Sequence, residues 1–360
     1  MDVKMPEIER MYFEITNSCN FNCEFCASMV SKRKKQVMDF EIFKKGVDEI
    51  AQQKLSKIVC YHIAGEPLLC PRIAEAVAYT KSKGLKTEIT TNGALLTREN
   101  VEKLIEAGLD EFYLSMPLNE TEALMRSSSL NFNDYYKNVI AMAKLVDQSH
   151  SSTKMRLRIM NYYTQKLFGV ENEKSMSQLK KEFKARLEKF VGDLVGSLGV
   201  QIPAQKLKDV LEKINSLNPE VLWITNNVCI ETRLFIDWKR IFDSTKKPVK
   251  IGFCGAAFTN VGVLSNGEVV ICCADYEGVT SLGNLVSQSL TSLLHSQKAQ
   301  EIVKGFQRYR VTNHFCQLCL GGQNFVESYL KGLVSIYLFK IQAAHKTKEI
   351  YLFDCSSKAS

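Results

Sequence analysis

The chain has 360 residues, of which 45% are hydrophobic and 24% are charged, and its formal net charge is +8. This length allows a large buried core in one or two domains, and so small a charge excess gives no argument for nucleic-acid binding. The first residues lack the basic-then-apolar pattern of a secretory signal, and no apolar run reaches the ~18 residues that span a membrane. Twelve cysteines in such a chain predict a reducing cytoplasm, where cysteine clusters are more often metal ligands than disulfides.

The first half of the chain alternates β-rich runs with amphipathic helical stretches. The predicted strands, in chain order, are 11–16, 57–63, 85–91, 111–116 and 155–160. The helices predicted between them include Asp39–Lys54, with Asp39 as its N-cap, and 97–108, which begins at Thr97 and ends at Gly108. Repeated strand–helix units predict parallel strands with right-handed crossovers, in an open sheet or a barrel.

Unusual loops follow three of the predicted strands. The first strand leads into "TNSCNFNCEFC", in which Cys19, Cys23 and Cys26 are spaced C-x3-C-x2-C. The sequence "GEP" of Gly65–Pro67 follows the second strand, and "TNG" of 91–93 follows the third. Because the chemistry of parallel α/β folds lies at the carboxyl ends of the strands, we expect these loops to share one site.

Three cysteines on one loop fit an iron–sulfur cluster better than a zinc ion. Each iron of a [4Fe–4S] cluster needs one ligand, so three thiolates leave one iron open to a substrate or cofactor. A structural zinc ion needs a fourth ligand, and no histidine lies within thirty residues of the cysteines. The basic run Ser31–Lys35, which follows the cysteines, is either a solvated loop or a contact to an anion.

The second half of the chain has two further parts. Residues 167–217 are rich in Lys and Glu and predict a helical insertion, either a structural cover or a substrate lid, before a strand at 220–225. From about Lys250, "FTNVGVLSNGEVVICC" predicts two strands joined by a turn at 265–267. A predicted helix at 288–306 separates this hairpin from a cysteine pair, Cys316 and Cys319.

The loops together resemble those of the radical S-adenosylmethionine (SAM) enzymes. The resemblance rests on the three cysteines with Phe25 before the last, on "AGEP" (64–67), on "TTNG" (90–93) and on "LS" (114–115); the family usually has Gly where Ala64 stands. It implies a partial (β/α)6 TIM-like barrel over 9–241, with the insertion inside it. It also implies that SAM chelates the open iron of a cluster held by Cys19, Cys23 and Cys26. The implied SAM contacts are Phe25, Gly65, Glu66, Pro67, Thr91, Asn92 and Ser115.

A second set of cysteines resembles the auxiliary-cluster domain of many radical SAM enzymes. Cys254 and Cys272 have the spacing C-x12-G-x4-C, and Cys316-x2-Cys319 follows. No C-x5-C-x3-C continuation follows Cys319, so the resemblance is to the shorter twitch form and not to the longer SPASM form. It implies one four-ligand [4Fe–4S] cluster in a domain over 250–325, with 326–360 as a C-terminal helical tail. Cys273 in place of Cys272, and a zinc ribbon, are the alternatives.

The resemblance implies reductive cleavage of SAM to a 5′-deoxyadenosyl radical, which abstracts a hydrogen atom from the substrate. The four-cysteine arrangement resembles that of dehydrogenases acting on aminocyclitols. We therefore expect oxidation or other modification of a small polar metabolite or natural-product intermediate, with the auxiliary cluster as electron acceptor and a flavodoxin- or ferredoxin-type electron donor. The alternatives are maturation of a ribosomally made peptide, by crosslinking or epimerisation, and a non-catalytic iron–sulfur scaffold. The catalytic residues stay unidentified; Arg156 and Arg158, on one face of the fifth predicted strand, are candidates that contact the carboxylate of SAM or a substrate anion.

Overall fold

The computed structural model describes residues 5–161, 174–213, 220–243, 245–338 and 348–352. The chain forms two compact units, each built from three segments. The first unit comprises Met1–Asn20, Phe25–Glu88 and Asp237–Lys346. The second unit comprises Phe21–Glu24, Ile89–Ile236 and Thr347–Ser360. The segment that carries the second set of cysteines lies in one unit with the first strands, and the predicted domain boundaries stay a prediction.

The described strands and helices alternate along the first half of the chain, as predicted. The strands are β1 Arg10–Phe13, β2 Ile58–Cys60, β3 Lys86–Thr91, β4 Glu111–Met116, β5 Lys154–Asn161, β6 Glu220–Trp223, β7 Val228–Leu234, β8 Asn260–Val263, β9 Glu268–Val270, β10 Gly283–Asn284 and β11 Lys348–Tyr351. The α-helices are α1 Phe40–Gln53, α2 Ile73–Ser82, α3 Arg98–Glu106, α4 Glu120–Leu124, α5 Phe132–Gln148, α6 Met176–Leu198, α7 Ala204–Lys213, α8 Leu290–Leu294, α9 Gln297–Gln307, α10 His314–Cys319 and α11 Phe325–Ile336.

In the first unit the strand order is β10–β9–β8–β1–β2–β3. β1 pairs in parallel with both β2 and β8, and β2 pairs in parallel with the first residues of β3. β9 pairs in antiparallel fashion with β8 and β10. The hairpin predicted around 265–267 is confirmed, and Gly267 has the positive φ (86°) that its turn requires. The parallel pairing of β8 with β1 makes the hairpin an extension of the first strands.

Helix α1 illustrates how local sequence signals place an element correctly. Asp39 caps it, because the carboxylate Oδ1 accepts a hydrogen bond from the Glu41 N–H at 2.7 Å. Phe43, Val47 and Ile50 recur at helical spacing and are fully buried. The helix predicted over Asp39–Lys54 is therefore confirmed, whereas the helix predicted over 288–306 is two helices, α8 and α9.

In the second unit the strand order is β4–β5–β7–β6–β11. β4, β5 and β7 are parallel neighbours, and β6 lies antiparallel to β7. The insertion is helical over α6 and α7, as predicted, while 167–173 and 214–217 lie outside the described residues. The tail predicted to be helical contains α11 but also β11, which pairs in parallel with β6. The alternation of strands and helices and the parallel pairing confirm the predicted α/β fold class.

None of the helices in the described part of the chain combines the length and the apolar character needed to cross a membrane.

Candidate active site and second cysteine site

The loop after β1 places its cysteines close to the surface. Cys19, Cys23 and Cys26 are all partly exposed. The Cys26 Sγ accepts hydrogen bonds from the Ser28 N–H at 3.5 Å and from the Ser28 hydroxyl at 3.1 Å. These hydrogen bonds fix the position of the Cys26 sulfur. An accessible loop whose thiol has such donors fits the predicted three-ligand cluster.

The basic run after the cysteines supports the loop. The Asn17 Oδ1 accepts a hydrogen bond from the Gln36 N–H at 2.7 Å, and its Nδ2 donates to the Lys34 carbonyl at 2.9 Å. Arg33 binds the fully buried Glu14 with both terminal nitrogens, at 2.7 and 3.0 Å. Arg33 is therefore not an open anion site, because its guanidinium already neutralises a carboxylate of the chain, whereas Lys32, Lys34 and Lys35 are exposed.

The GEP loop packs against the residues that lead into the cysteines. Gly65 has a φ of 89°, and a Cβ at this position would lie 2.8 Å from the Ser18 carbonyl oxygen and closer still to that of Thr16. The Glu66 N–H donates to the same Ser18 carbonyl at 2.8 Å. The buried Glu66 carboxylate accepts a hydrogen bond from the Leu68 N–H at 3.1 Å and so caps the 3-10 helix Pro67–Leu69. Gly65, Glu66 and Pro67 thus each contribute to the conformation of this loop. That they contact SAM stays a prediction.

Phe25 is buried and does not project as a free ring. Only 6% of the residue is exposed, and its carbonyl accepts a hydrogen bond from the Trp238 N–H at 3.0 Å. This contact fixes the backbone one residue before Cys26. The predicted packing of Phe25 against the adenine of SAM is not tested by this arrangement.

The TNG loop of the second unit is also held by local hydrogen bonds. The buried Thr91 accepts a hydrogen bond at Oγ1 from the Gly93 N–H at 3.1 Å. The Asn92 Oδ1 accepts from the Ala94 N–H at 3.0 Å, and the Asn92 carbonyl accepts from the Tyr135 hydroxyl at 2.8 Å. Gly93 has a φ of 81° and lies too close to Leu114 and Tyr135 for a Cβ. These hydrogen bonds hold the loop in one conformation, as a preformed ligand-binding loop requires.

Sequence reasoning missed Arg126, which positions the predicted contact Ser115. Arg126 is only 2% exposed, and its Nη1 donates to the Ser115 carbonyl at 3.0 Å and to its hydroxyl at 3.1 Å. The Arg126 carbonyl accepts from the Asn22 N–H at 3.1 Å, and the Met125 carbonyl accepts from the Glu24 N–H at 2.9 Å. Arg126 therefore connects the end of β4 with the backbone on both sides of Cys23. Its only sequence signal is an arginine just after a short capped helix.

The candidates Arg156 and Arg158 are both paired with carboxylates. The Arg156 Nε binds the Glu111 Oε2 at 2.7 Å, and the Arg158 Nε binds the Glu231 Oε2 at 3.1 Å. Both project from the half-exposed face of β5, since the residues that alternate with them are buried. The prediction that they share one face is confirmed, but Arg156 is neutralised by its own partner.

Glu231 is shared by a second arginine, Arg233. The Arg233 Nε donates to the Glu231 Oε1 at 2.8 Å. Burial alone would raise the pKa of Glu231, but Arg158 and Arg233 hold its pKa below the usual value. The Arg158 guanidinium also lies over the Tyr113 ring, 4.3 Å from its centroid. Two cations on one carboxylate leave this cluster with one excess positive charge.

The second set of cysteines comes together within the first unit. The two cysteines of α10 each interact electrostatically with Cys254 and Cys272. Burial raises the pKa of Cys254 and Cys316 and raises that of Cys319 to about 12, and the neighbouring thiolates add to each shift. The Cys272 Sγ accepts a hydrogen bond from the Ala274 N–H at 3.4 Å. Four neighbouring thiols whose pKa values are all raised carry their charge at neutral pH only with a cationic group among them, so this set fits a metal cluster.

Cys272 fits this set better than its neighbour Cys273. Tyr12 interacts electrostatically with Cys273, whereas Cys316 and Cys319 interact with Cys272, which favours Cys272 as the ligand.

Two family models match the chain. Residues 13–157 match the radical SAM superfamily. Residues 254–320 match SPASM, described as an iron–sulfur cluster-binding domain. The first match contains the three-cysteine loop with the GEP and TNG loops, and the second begins at Cys254 and ends one residue after Cys319.

Two curated relatives match part of the chain. Over 111 residues, it is 35% identical to the tungsten-containing aldehyde ferredoxin oxidoreductase cofactor-modifying protein of Pyrococcus furiosus, a match covering 31% of each chain. Over 105 residues, it is 30% identical to the S-adenosyl-L-methionine-dependent 2-deoxy-scyllo-inosamine dehydrogenase of Niallia circulans, a match covering 28% of this chain and 42% of that protein. The chain therefore spans less than half the length of either relative.

Among solved structures, one has a similar fold over most of the chain. The structure of BtrN in complex with AdoMet and 2-DOIA has a TM-score of 0.50 at 17% identity, and the match covers 86% of this chain and 89% of BtrN. At this identity the likeness shows the fold alone. The cofactors of the two matched domains are SAM and two [4Fe–4S] clusters, which agrees with one set of three cysteines and a second set of four. The chain thus carries a radical SAM superfamily domain over 13–157 and a SPASM-type iron–sulfur domain over 254–320.

Proposed function

We propose that this protein is an enzyme that cleaves SAM reductively and oxidises, or otherwise modifies, a small polar metabolite or natural-product intermediate. The observation that carries the proposal is the contrast between its two cysteine sets. The loop at Cys19–Cys26 offers three partly exposed thiols, whereas Cys254, Cys272, Cys316 and Cys319 form a set of four, of which Cys316 is buried and the others are partly exposed. Three ligands leave an iron open for SAM, and four close a cluster that is suited to electron transfer.

When bound, SAM and the open cluster supply a 5′-deoxyadenosyl radical that abstracts a hydrogen atom from the substrate. The chain's residues hold the reactants in place. Gly65 lets the GEP loop lie against the backbone that leads into the cysteines, and Arg126 fixes the backbone beside Cys23 and orients Ser115. Such fixed geometry is needed because a radical must meet one chosen C–H bond.

The charge on the half-exposed face of β5 supports a polar substrate that carries an anionic group. Arg158 and Arg233 share the carboxylate of Glu231, so one positive charge stays uncompensated within the cluster. Arginine guanidinium groups bind carboxylate and phosphate with parallel hydrogen bonds. We therefore assign Arg158 to substrate binding and Arg156, which Glu111 neutralises at 2.7 Å, to support of the strands.

In the proposed oxidation of a substrate alcohol to a ketone, the deoxyadenosyl radical, a base and the second cluster together accept everything that the substrate loses. The substrate loses one hydrogen atom to the deoxyadenosyl radical, which becomes 5′-deoxyadenosine. It loses one proton to a base and one electron to the second cluster, which is thereby reduced. A flavodoxin- or ferredoxin-type protein would supply the electron that cleaves SAM. The dehydrogenase among the relatives, by its name, uses S-adenosyl-L-methionine in such an oxidation of an inosamine.

The test of SAM cleavage uses the anaerobically reconstituted protein. Reconstitution should give about eight irons per chain, and dithionite should then drive formation of 5′-deoxyadenosine from SAM. Replacing Cys19, Cys23 and Cys26 together by Ala should lower iron to about four and abolish 5′-deoxyadenosine. A matched control, Cys70→Ser, changes a buried thiol outside both sets and should leave both values unchanged. Survival of turnover in the triple variant would refute the proposed radical mechanism.

A separate measurement addresses the substrate class. A cell extract filtered to retain only small molecules should raise 5′-deoxyadenosine formation above the rate with SAM alone. Protease treatment of the extract should not change this stimulation. Stimulation that is destroyed by protease would instead support peptide maturation. If Arg158 binds the substrate anion, Arg158→Met should remove the stimulation but keep the basal cleavage of SAM.

A further inference from the structure

Within the first unit, helix α11 packs on the segment Lys247–Phe253 through small side chains. Ser328 donates its hydroxyl to the Lys247 carbonyl at 2.7 Å, and Ser335 accepts at Oγ from the Phe253 N–H at 3.0 Å. Between them, Gly332 lies against the backbone at Ile251, where a Cβ would not fit. All three residues are buried. This face is a close contact between backbones, and it leaves no room for large side chains.

The large apolar side chains of the helix face solvent. Phe325, Val326, Tyr329, Leu330, Leu333 and Val334 are each between 42% and 71% exposed. The stripe continues past the helix through Tyr337 and Leu338, which are 55% and 45% exposed. An ordinary surface helix buries its apolar stripe and exposes its polar residues. The arrangement in α11 is the reverse.

The stripe is large enough for a specific interface. A large side chain offers on the order of 150–200 Å², and with about half of each exposed the stripe amounts to roughly 600–800 Å². The largest apolar patch on a monomer is usually about 300–600 Å², while a standard interface buries about 800 Å² per partner. The stripe thus meets the area that one side of a stable dimer needs.

The charges on the helix decide between possible partners. Between 325 and 338 the only charged residues are Glu327 and Lys331, and they pair with each other at 2.5 Å. An amphipathic helix that binds anionic lipid carries several free Lys or Arg residues beside its apolar face. From outside the helix, the Lys247 Nζ lies 5.9 Å from the centroid of the Phe325 ring, at one end of the stripe. A stripe that is itself neutral and has a cation at one end only attracts anionic lipid weakly and does little to repel an identical stripe. Two tyrosines within it are typical of the core of a protein interface.

We propose that the α11 stripe is the interface of a two-fold homodimer, in which the stripe of one copy packs on that of the other. Such an isologous contact uses the same residues on both sides, so a single substitution enters the interface twice. The interface lies outside both cysteine sets, and the proposal does not depend on the proposed reaction.

The test is sedimentation velocity of the anaerobically reconstituted protein across a concentration series from about 0.1 to 50 μM. The wild type should sediment as a dimer that dissociates on dilution. Val334→Glu should raise the dimer dissociation constant by at least a hundredfold, because each copy contributes one unpaired carboxylate to the interface. Val286→Glu is the matched control, because Val286 is 59% exposed, close to the 52% of Val334, but lies outside the stripe; it should leave the constant unchanged.

Two further measurements, at raised NaCl and with lipid vesicles, distinguish a homodimer from binding to a membrane surface. Raising NaCl from about 0.05 to 0.5 M should keep or strengthen the dimer, since salt screens the +8 charges of two like chains. A wild type that stays monomeric throughout the series overturns the proposal, as does a Val334→Glu protein that remains dimeric. Cosedimentation of a monomer with phosphatidylglycerol vesicles would assign the stripe to a membrane surface instead. Iron content and 5′-deoxyadenosine formation should match those of the wild type in both variants, which shows that they fold.

Discussion

Replacement of Gly65 by Ala tests whether the GEP loop is shaped by its contact with the cysteine loop. Gly65 has a φ of 89° and faces the carbonyl oxygens of Thr16 and Ser18. Gly84 provides a matched control, because its φ is 75° but no atom lies within 4 Å of the Cβ that Ala would add. Gly84→Ala therefore measures the backbone cost alone, and Gly65→Ala measures that cost together with the steric one.

The two costs can be estimated separately. A left-handed backbone conformation costs a residue with a Cβ about 1–2 kcal/mol relative to Gly. At Gly65 the new Cβ would lie 2.8 Å from the Ser18 oxygen, where ordinary contact begins at about 3.4 Å. The two loops must separate by several tenths of an ångström, and such overpacking costs about 1–3 kcal/mol. We expect Gly65→Ala to lower the free energy of unfolding by about 2–5 kcal/mol, against about 1–2 for Gly84→Ala.

The assay combines stability with chemistry. At roughly 2–4 °C per kcal/mol, the thermal midpoint of the Gly84 variant should fall by about 2–8 °C and that of the Gly65 variant by clearly more. Formation of 5′-deoxyadenosine should survive in the Gly84 variant and fall at least tenfold in the Gly65 variant, because the displaced backbone leads directly into Cys19. If the two variants have equal thermal midpoints and form 5′-deoxyadenosine at equal rates, the contact between the loops contributes to neither stability nor activity, and the reasoning is refuted.

Three further changes have defined outcomes. Arg126→Lys removes the paired hydrogen bonds to Ser115; it should raise the KM for SAM about tenfold with a smaller effect on kcat, and an unchanged KM would contradict the positioning role. Arg33→Met leaves the buried Glu14 without its counter-ion and should cost about 3–5 kcal/mol in unfolding free energy, of which adding Glu14→Gln should restore a part. Because the pKa of Glu231 is lowered in the folded state, its carboxylate contributes stability above the ordinary pKa of about 4.3, and this is lost as the pH falls through the lowered value. The difference in thermal midpoint between the wild type and Glu231→Gln should therefore become smaller as the pH is lowered from 7 to 4. A difference that does not change with pH would refute the ion pairing of Glu231 with Arg158 and Arg233.

Local sequence signals identified most of the elements and both cysteine sets. Asp39 and the apolar residues that follow it specify α1, since a helix cap and a helical period act over a few residues. The Ser265–Gly267 turn specifies its hairpin for the same reason. Cys19–Cys26 and Cys316-x2-Cys319 stand out in the sequence because their spacing is contained within one loop or one helix, and their role as ligands stays a prediction.

The tertiary structure decided the contacts between residues that are distant in sequence. The pairing of β8 with β1, and of Arg33 with Glu14 and Ser265, joins segments separated by up to about 250 residues. No local pattern specifies such partners, because each depends on how the intervening chain folds. Arg126 was missed for this reason, since an isolated arginine carries no periodic signal.

Helix α11 shows the distinction most clearly. Its sequence shows an apolar stripe and, between the large residues, Ser328, Gly332 and Ser335. The period alone predicts that the apolar stripe faces the protein. The structure shows the opposite, because the backbone at Lys247–Phe253 approaches the helix so closely that only serine and glycine fit between them. The sequence determined that α11 has two faces, and the close approach of another segment determined which one meets the solvent.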